Sequence, residues 1–74
     1  MTRLILTFET MFKVLAADKA LRDHVSCRPT PTPPGLTTAV CGVSLELLDL
    51  SQRDEALERL RQQDLNPSGI HELT

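Results

Sequence analysis

Apolar and polar residues alternate along this chain with two different periods. Residues 3–8 form a short apolar run with a β-branched member, which predicts a buried central strand. After Thr10, apolar residues recur every three or four positions, which predicts an amphipathic helix from Met11 to about Asp23 or His24, with Thr10 as its N-cap. The predicted apolar side of this helix comprises Met11, Val14, Leu15, Ala17 and Leu21, and its polar side Lys13, Asp18, Lys19 and Arg22.

The rest of the chain adds two strands, a helix and a last strand. Residues 25–29 predict a strand at a sheet edge, or one that ends there, because Pro29 has no N–H to donate to a ladder. Residues 42–48 alternate, which predicts a half-buried strand with Ser44 and Glu46 on the face opposite its apolar residues Val43, Leu45 and Leu47. A helix over about 52–64 is predicted to start at a Ser51–Asp54 capping box and to stop at Asn66-Pro67. Its predicted buried residues are Ala56, Leu57 and Leu60, and residues 68–73 predict the final strand.

This order of elements predicts one α+β domain over residues 1–74. Strand, helix, strand, strand, helix, strand is the order of a ferredoxin-like two-layer sandwich. We therefore expect a four-stranded antiparallel sheet with both helices on one face. The second and third strands are then neighbours, joined by the proline-rich loop over residues 30–40.

Charge and composition exclude several classes of partner and cofactor. The net charge of -2 and the lack of Tyr and Trp argue against nucleic acid, which needs a basic patch and stacking rings. No apolar run approaches the roughly 20 residues of a membrane span, and Glu9 and Lys13 interrupt the signal-like start of the chain. We expect a cytoplasmic protein with free thiols. Its two cysteines and two histidines have no metal-ligand spacing, so we expect neither metal nor cofactor.

The loop over residues 30–40 leads directly into Cys41-Gly42 and carries the chain's candidate chemistry. Its prolines, Pro31 among them, favour an extended and stiff backbone, and Gly35 is suited to the turn back. Two interpretations of Cys41 stay open. It is either a nucleophilic, sulfur-carrying thiol or a small apolar residue that caps the core, since it shares parity with the buried face of its strand. The first is favoured by Gly42, which leaves space beside the sulfur, and by the nearby hydroxyls of Thr37 and Thr38.

Cys27 has the same two interpretations. On neighbouring strands it could approach Cys41, form a disulfide with it and act as a resolving thiol; otherwise it is a core residue. Arg28 either supplies positive potential near Cys41 or is a solvated edge residue.

The chain resembles a family of small bacterial domains described as selenium- or sulfur-carrier-like. The resemblance covers nearly the whole chain: Leu-Thr-Phe at the end of the first strand, Ala-Ala-Asp-Lys in the first helix, Pro-Thr-Pro, a threonine-rich turn, Cys41-Gly42 and a terminal Gly-Ile. Two features depart from the family, namely Pro33-Pro34-Gly35, where a basic residue is common, and Cys27, where an aliphatic residue is usual.

The resemblance implies a carrier more than an enzyme. Cys41 would take a persulfide or selenopersulfide from a donor such as a cysteine desulfurase and pass it to an acceptor protein, with Cys27 releasing it as a disulfide. The alternative is a non-catalytic interaction or regulatory module, in which the proline loop or a sheet edge binds a partner and the cysteines are structural.

Overall fold

Four strands and two helices fold in the predicted order. The structure is a computed structural model, and it describes residues 2–36 and 42–74. Its elements are β1 (Arg3–Thr7), α1 (Met11–Leu21), β2 (Cys27–Pro31), β3 (Val43–Leu47), a 3-10 turn (Leu50–Gln52), α2 (Arg53–Gln62) and β4 (Gly69–Leu73). All strand pairs are antiparallel, and the sheet order is β2-β3-β1-β4. The predicted ferredoxin-like α+β fold is confirmed.

Both helices cover the same face of the sheet, and the core lies between the two layers. Side chains of the central strands β1 and β3 meet the inner sides of α1 and α2 there, and water is almost fully excluded. The buried members of this core are Leu4, Leu6, Phe8, Val14, Ala17, Leu21, Val25, Leu45, Leu47, Ala56 and Leu60.

Helix α1 begins where predicted but buries a narrower row of apolar residues than predicted. The Thr10 hydroxyl accepts a hydrogen bond from the Lys13 N–H at 3.2 Å, so the predicted N-cap is confirmed. The predicted apolar side is partly wrong, because Met11 and Leu15 are 51% and 53% exposed. Asp18, predicted on the polar side, is buried. The buried row is the narrower set Val14, Ala17 and Leu21, and Asp18 borders that row on the side that meets β2.

Helix α2 starts without the predicted capping box. The side chain of Asp49 instead accepts hydrogen bonds from the Ser51 N–H at 3.0 Å and from the Ser51 hydroxyl at 2.6 Å, which caps the preceding 3-10 turn. Residue Gln52 precedes α2 and makes no side-chain cap. The capping residue is therefore Asp49, two residues before the predicted Ser51, and the 3-10 turn leads directly into α2.

Helix α2 also ends earlier than predicted. Asp64 has a left-handed backbone with φ of 57°, and the Leu65 N–H donates to the Leu60 carbonyl oxygen at 2.8 Å. This is the bond pattern of a Schellman cap, in which a left-handed residue reverses the chain. The helix therefore stops at Gln62, before Asn66-Pro67 is reached.

The β2–β3 ladder runs two residues further than predicted because of where its prolines point. The Thr32 N–H donates to the Gly42 carbonyl oxygen at 3.0 Å, and the Leu48 N–H donates to the Ser26 carbonyl oxygen at 2.8 Å. Even-numbered β2 residues thus turn their backbone groups towards β3, and the odd-numbered ones turn theirs outward. Pro29 and Pro31 occupy outward positions, where a missing N–H breaks no ladder bond. Edge placement is confirmed, whereas an end at Pro29 is wrong.

The helix-free face of the sheet carries a buried carboxylate. Alternation along β3 is as predicted, but Ser44 and Glu46 are buried and not solvent-exposed. Arg3 donates two hydrogen bonds to Glu46, at 3.0 and 3.1 Å, and Arg28 approaches the same carboxylate at 3.5 Å. The hydrogen bond from Arg3 is the main cause that holds the pKa of Glu46 below its usual range. Glu46 thus ties the edge strand β2 to the central strand β1.

Replacing this carboxylate is expected to weaken the fold in a pH-dependent way. Glu46→Gln should lower the free energy of unfolding at pH 7 by about 1.5–3 kcal/mol, the usual range for a hydrogen bond to a charged group. Because the folded-state pKa of Glu46 is depressed, its contribution is present above the unfolded-state pKa and is lost as pH falls through the folded value. Urea unfolding of both proteins between pH 2 and 7 should show the difference shrink below about pH 4. A constant difference would contradict this role.

Candidate functional site

Gly42, which follows the candidate Cys41 in the sequence, lies at one end of the β2–β3 ladder. Cys41, Thr37 and Thr38 lie outside the described residues, so the predictions made for them stay predictions. Gly42 itself is exposed, and its carbonyl oxygen accepts the last hydrogen bond of the β2–β3 ladder, from Thr32. A Cβ atom built on Gly42 meets no atom of the described residues within 4 Å, its chain neighbours aside. The space that the sequence predicts beside the Cys41 sulfur stays a prediction.

A pair of hydroxyl groups closes the ladder beside Gly42. The Thr32 and Ser44 side-chain oxygens are 2.6 Å apart, and Ser44 is fully buried on the helix-free face. This contact fixes the first residue after β2 to the strand that follows Gly42. Sequence reasoning missed it, because pairing Thr32 with Ser44 requires the β2–β3 register, which the length of the loop leaves open. The register, once known, would have predicted the contact. Thr30 pairs directly with Ser44, and Thr32 is the next residue on the same face of β2.

The described part of the proline loop contains one left-handed residue. Pro31 is the last residue of β2 and not a loop residue. Pro34 and Gly35 form a turn, and Gly35 has φ of 89°, a conformation that only glycine adopts without strain. The expected turn at Gly35 is therefore confirmed.

Cys27 is held as a neutral thiol. It lies on the helix side of β2, opposite Leu47, with its sulfur 3.7 Å from Asp18 Oδ1. The other oxygen of Asp18 accepts a hydrogen bond from Arg22 Nη2 at 2.6 Å. Burial, followed by the neighbouring Asp18 carboxylate, raises the pKa of the Cys27 thiol to about 11. Cys27 is thus protonated at neutral pH and donates a weak hydrogen bond to Asp18.

Cys27 and Gly42 lie at opposite ends of the β2–β3 ladder. Cys27 pairs with Leu47, five residues along the chain from Gly42. Five residues of extended strand span roughly 17 Å, whereas a disulfide requires Cα atoms about 4.4–6.8 Å apart. The register therefore does not bring Cys27 to the end of the sheet at which Gly42 lies. The resolving role still concerns Cys41, which is outside the described residues, and it gains no support from the described ones.

Arg28 is partly neutralised at its own position. It lies on the helix-free face and pairs with Glu46, four residues along the chain from Gly42. Arg28 is therefore neither a simple solvated residue nor a free positive charge aimed at the end of the sheet at which Gly42 lies.

The described ranges 2–36 and 42–74 contain neither a cluster of metal ligands nor a membrane-spanning helix. Within these ranges, His, Cys, Asp and Glu side chains form no group of three that could hold a metal ion. No helix there has the length and apolar character needed to cross a membrane.

The fold and the sequence together define a class of small ferredoxin-like domains. The chain belongs to the family described as "Putative Se/S carrier protein-like", which it matches over residues 3–72. That range includes both helices, the proline loop and Cys41-Gly42. No curated protein and no solved structure is detectably similar to the chain.

The environment of Cys27 predicts slow labelling. In a Cys41→Ser variant, Cys27 is the remaining thiol. Its alkylation by a maleimide at pH 7.5 should be about 100-fold slower in the folded than in the urea-unfolded protein, because raising the thiol pKa from 9.0 to about 11 lowers the thiolate fraction by that factor. Adding Asp18→Asn should move the pH profile of labelling to lower pH, since the carboxylate raises the Cys27 pKa. Equal rates in folded and unfolded protein would contradict the assignment.

Two glycine substitutions should separate backbone strain from open space. Gly35→Ala should destabilise the fold by about 1 kcal/mol, because alanine is strained at φ of 89°. Gly42→Ala should change the free energy of unfolding by less than about 0.5 kcal/mol, because the added methyl group meets no atom of the described residues beyond its chain neighbours. Denaturant melts measure both. A larger loss at Gly42 than at Gly35 would contradict the open site.

Proposed function

We propose that the chain is a sulfur or selenium carrier that holds a persulfide or selenopersulfide on Cys41 and passes it to a partner protein. One observation carries the proposal: the family match extends over residues 3–72 and includes Cys41 in its sequence context before β3. The proposal assigns Cys41 the carrier thiol and Gly42 the open flank beside it. It needs no resident cofactor, and it places the chain in a reducing cytoplasm, where thiols stay free.

The geometry around Gly42 supports the proposal. Gly42 is exposed, no atom of the described residues outside its chain neighbours crowds it, and it accepts the last hydrogen bond of the β2–β3 ladder. A carrier thiol must meet the cysteine of another protein at van der Waals distance, so open space beside the thiol is a requirement. The Thr32–Ser44 contact holds the ladder end in place next to this opening.

Loading is a thiol–persulfide exchange. The Cys41 thiolate attacks the terminal sulfur of a persulfide on the catalytic cysteine of a cysteine desulfurase. A sulfur–sulfur bond forms at Cys41, and the bond within the donor persulfide breaks. Its electron pair goes to the donor cysteine, which takes up a proton. No external oxidant or reductant is consumed, because the oxidised sulfur moves from one cysteine to the other.

Delivery repeats the same exchange with a new attacking group. A thiolate on the acceptor protein attacks the terminal sulfur of the Cys41 persulfide, and Cys41 leaves as a thiolate. Selenium follows the same route, since a donor that carries a terminal selenium atom gives a selenopersulfide on Cys41. The acceptor therefore supplies the thiol that Cys27, which is neutral and directed at Asp18, is poorly suited to supply.

The environment of Cys27 favours one alternative, a non-catalytic interaction module with structural cysteines. Cys27 already behaves as a structural residue, because it is half-buried and bonded to a buried carboxylate. If Cys41 is of the same kind, it should label only after unfolding and should carry no sulfur.

Sulfur loading should depend on Cys41 alone. Wild type, Cys41→Ser and Cys27→Ser are each incubated with a cysteine desulfurase and L-cysteine, and intact mass records added sulfur. We expect wild type and Cys27→Ser to gain one sulfur atom and Cys41→Ser to gain none, because a serine hydroxyl stays protonated near pH 7 and cannot attack. L-selenocysteine as the substrate tests the selenium form.

Thermal melts of the three proteins are the control for folding. Cys41→Ser should melt close to wild type if the thiol is at an open position, whereas a buried hydroxyl would cost about 1–3 kcal/mol. Sulfur that persists on Cys41→Ser, or an unloaded wild type with a destabilised Cys41→Ser variant, would favour the interaction module.

A further inference from the structure

Strand β4 forms an edge of the sheet whose backbone can still pair with another strand. The register of the ladders turns the odd-numbered residues of β4 towards β1, so the N–H and C=O groups of Ile70 and Glu72 point away from the sheet. Neither residue is a proline, and Ile70 is 42% exposed. The β4 edge is therefore open to a further strand, whereas Pro29 and Pro31 hinder such pairing at the β2 edge.

The outer side of helix α2 flanks this edge. Leu57, Pro67 and Ile70 line one groove of about 380 Å³, and Asp54 and Arg61 of α2 line it as well. Asp54 and Arg61 are two helical turns apart, which separates them by about 10 Å along one side of α2. Leu57 lies between them on that side. A partner at the β4 edge therefore meets an apolar centre with a carboxylate at one end and a guanidinium at the other.

The two charges at the ends of this groove differ in their engagement. Arg61 forms an ion pair with Glu58 on the surface of α2. Asp54 forms no ion pair with any residue in the ranges 2–36 and 42–74. Because a guanidinium has five N–H donors, Arg61 can bind a second carboxylate while it keeps Glu58. This side of α2 thus offers a carboxylate without a cation and a cation with room for one more carboxylate.

A two-fold axis perpendicular to the sheet at His71 pairs β4 with the β4 strand of a second copy. Ile70 then lies opposite Glu72 of the second copy, and every outward N–H and C=O group of these two residues is bonded. The two neighbouring registers are worse. One places Glu72 opposite Glu72, where like charges repel, and the other needs the N–H of Ser68, which already donates to the Thr7 carbonyl oxygen at 2.7 Å.

The same axis brings the two copies of α2 side by side on one face of the joined sheet. Each α2 runs antiparallel to its own β4, because it returns from the end of β3 to the start of β4, and these strands run in the same direction. Since Leu57 and Ile70 line one groove, the axis passes near the middle of α2. Asp54 of each copy then faces Arg61 of the other. The rotation that pairs the strands therefore also matches the charges, as an interface between identical surfaces requires.

We propose that this chain forms a two-fold dimer through β4 and α2. The two four-stranded sheets join into one, and an ion pair between Asp54 and Arg61 lies on each side of the axis. Strand β1 separates β4 from β3, so the contact lies away from Gly42, which precedes β3. The dimer leaves that end of each sheet uncovered, and the inference does not depend on the proposed function.

The test is an exchange of charges between two variants, followed by sedimentation equilibrium. Asp54→Arg and Arg61→Asp should each raise the dissociation constant of the dimer at least about 10-fold, because each places like charges opposite one another across the axis. An equimolar mixture of the two variants should dimerise as wild type does, since each variant offers the charge that the other lacks. Native mass spectrometry identifies the mixed dimer by its mass.

Two further variants separate the parts of the contact. Lys19→Glu is the matched control, because it also reverses an exposed charge but lies on α1, and it should leave the dissociation constant unchanged. Glu72→Pro should weaken the dimer by removing an outward donor, as the prolines of β2 do. Thermal melts by circular dichroism show whether each variant is folded. A wild type that stays monomeric, a dimer that Asp54→Arg and Arg61→Asp leave intact, or a mixture that stays monomeric would overturn the proposal.

Discussion

The register of β2 against β3 is the constraint on which the rest of this structure depends. This register turns the backbone N–H and C=O groups of the even-numbered β2 residues towards β3. It thereby fixes which face of the sheet each β2 side chain occupies. Pro29 and Pro31 point their missing donors to the outside. Cys27 falls on the helix side, beside Asp18, and Arg28 falls on the opposite face, beside Glu46. A shift of one residue would exchange the two faces and place prolines against the β3 ladder.

Two buried carboxylates stabilise this register from the two faces of the sheet. On the helix side, Asp18 joins α1 to β2 through Cys27 and is itself neutralised by Arg22. On the other face, Glu46 joins β3 to Arg3 and Arg28. A buried carboxylate is tolerated only where cations or donors compensate its lost hydration. Each carboxylate thus favours one position of the edge strand β2, since sliding would separate Cys27 from Asp18 and Arg28 from Glu46.

Hydrophobic periodicity was sufficient to predict the fold but not the site. The order of elements, the Thr10 cap and the turn at Gly35 follow from local rules, because each depends on residues close together in the sequence. Burial of Asp18 and Glu46 could not be predicted in this way, since their partners Cys27 and Arg3 lie 9 and 43 residues away. The Thr32–Ser44 pair had the same difficulty. The wrong N-cap at Ser51 has a local cause. The Ser51 N–H, which the predicted capping box gives to Asp54, donates instead to Asp49, two residues before Ser51.

The two edges of this sheet have unequal capacities for backbone pairing. In antiparallel ladders, backbone groups alternate between the two neighbouring strands. Followed from β3 through β1 to β4, this alternation directs the N–H groups of Ile70 and Glu72 outward, and neither residue is a proline. The β2 edge lacks the donors of Pro29 and Pro31. A polymer of stacked sheets needs two competent edges on every molecule, one to join and one to be joined. This domain offers a full set of outward donors on one edge only, so pairing between sheet edges would stop at two molecules.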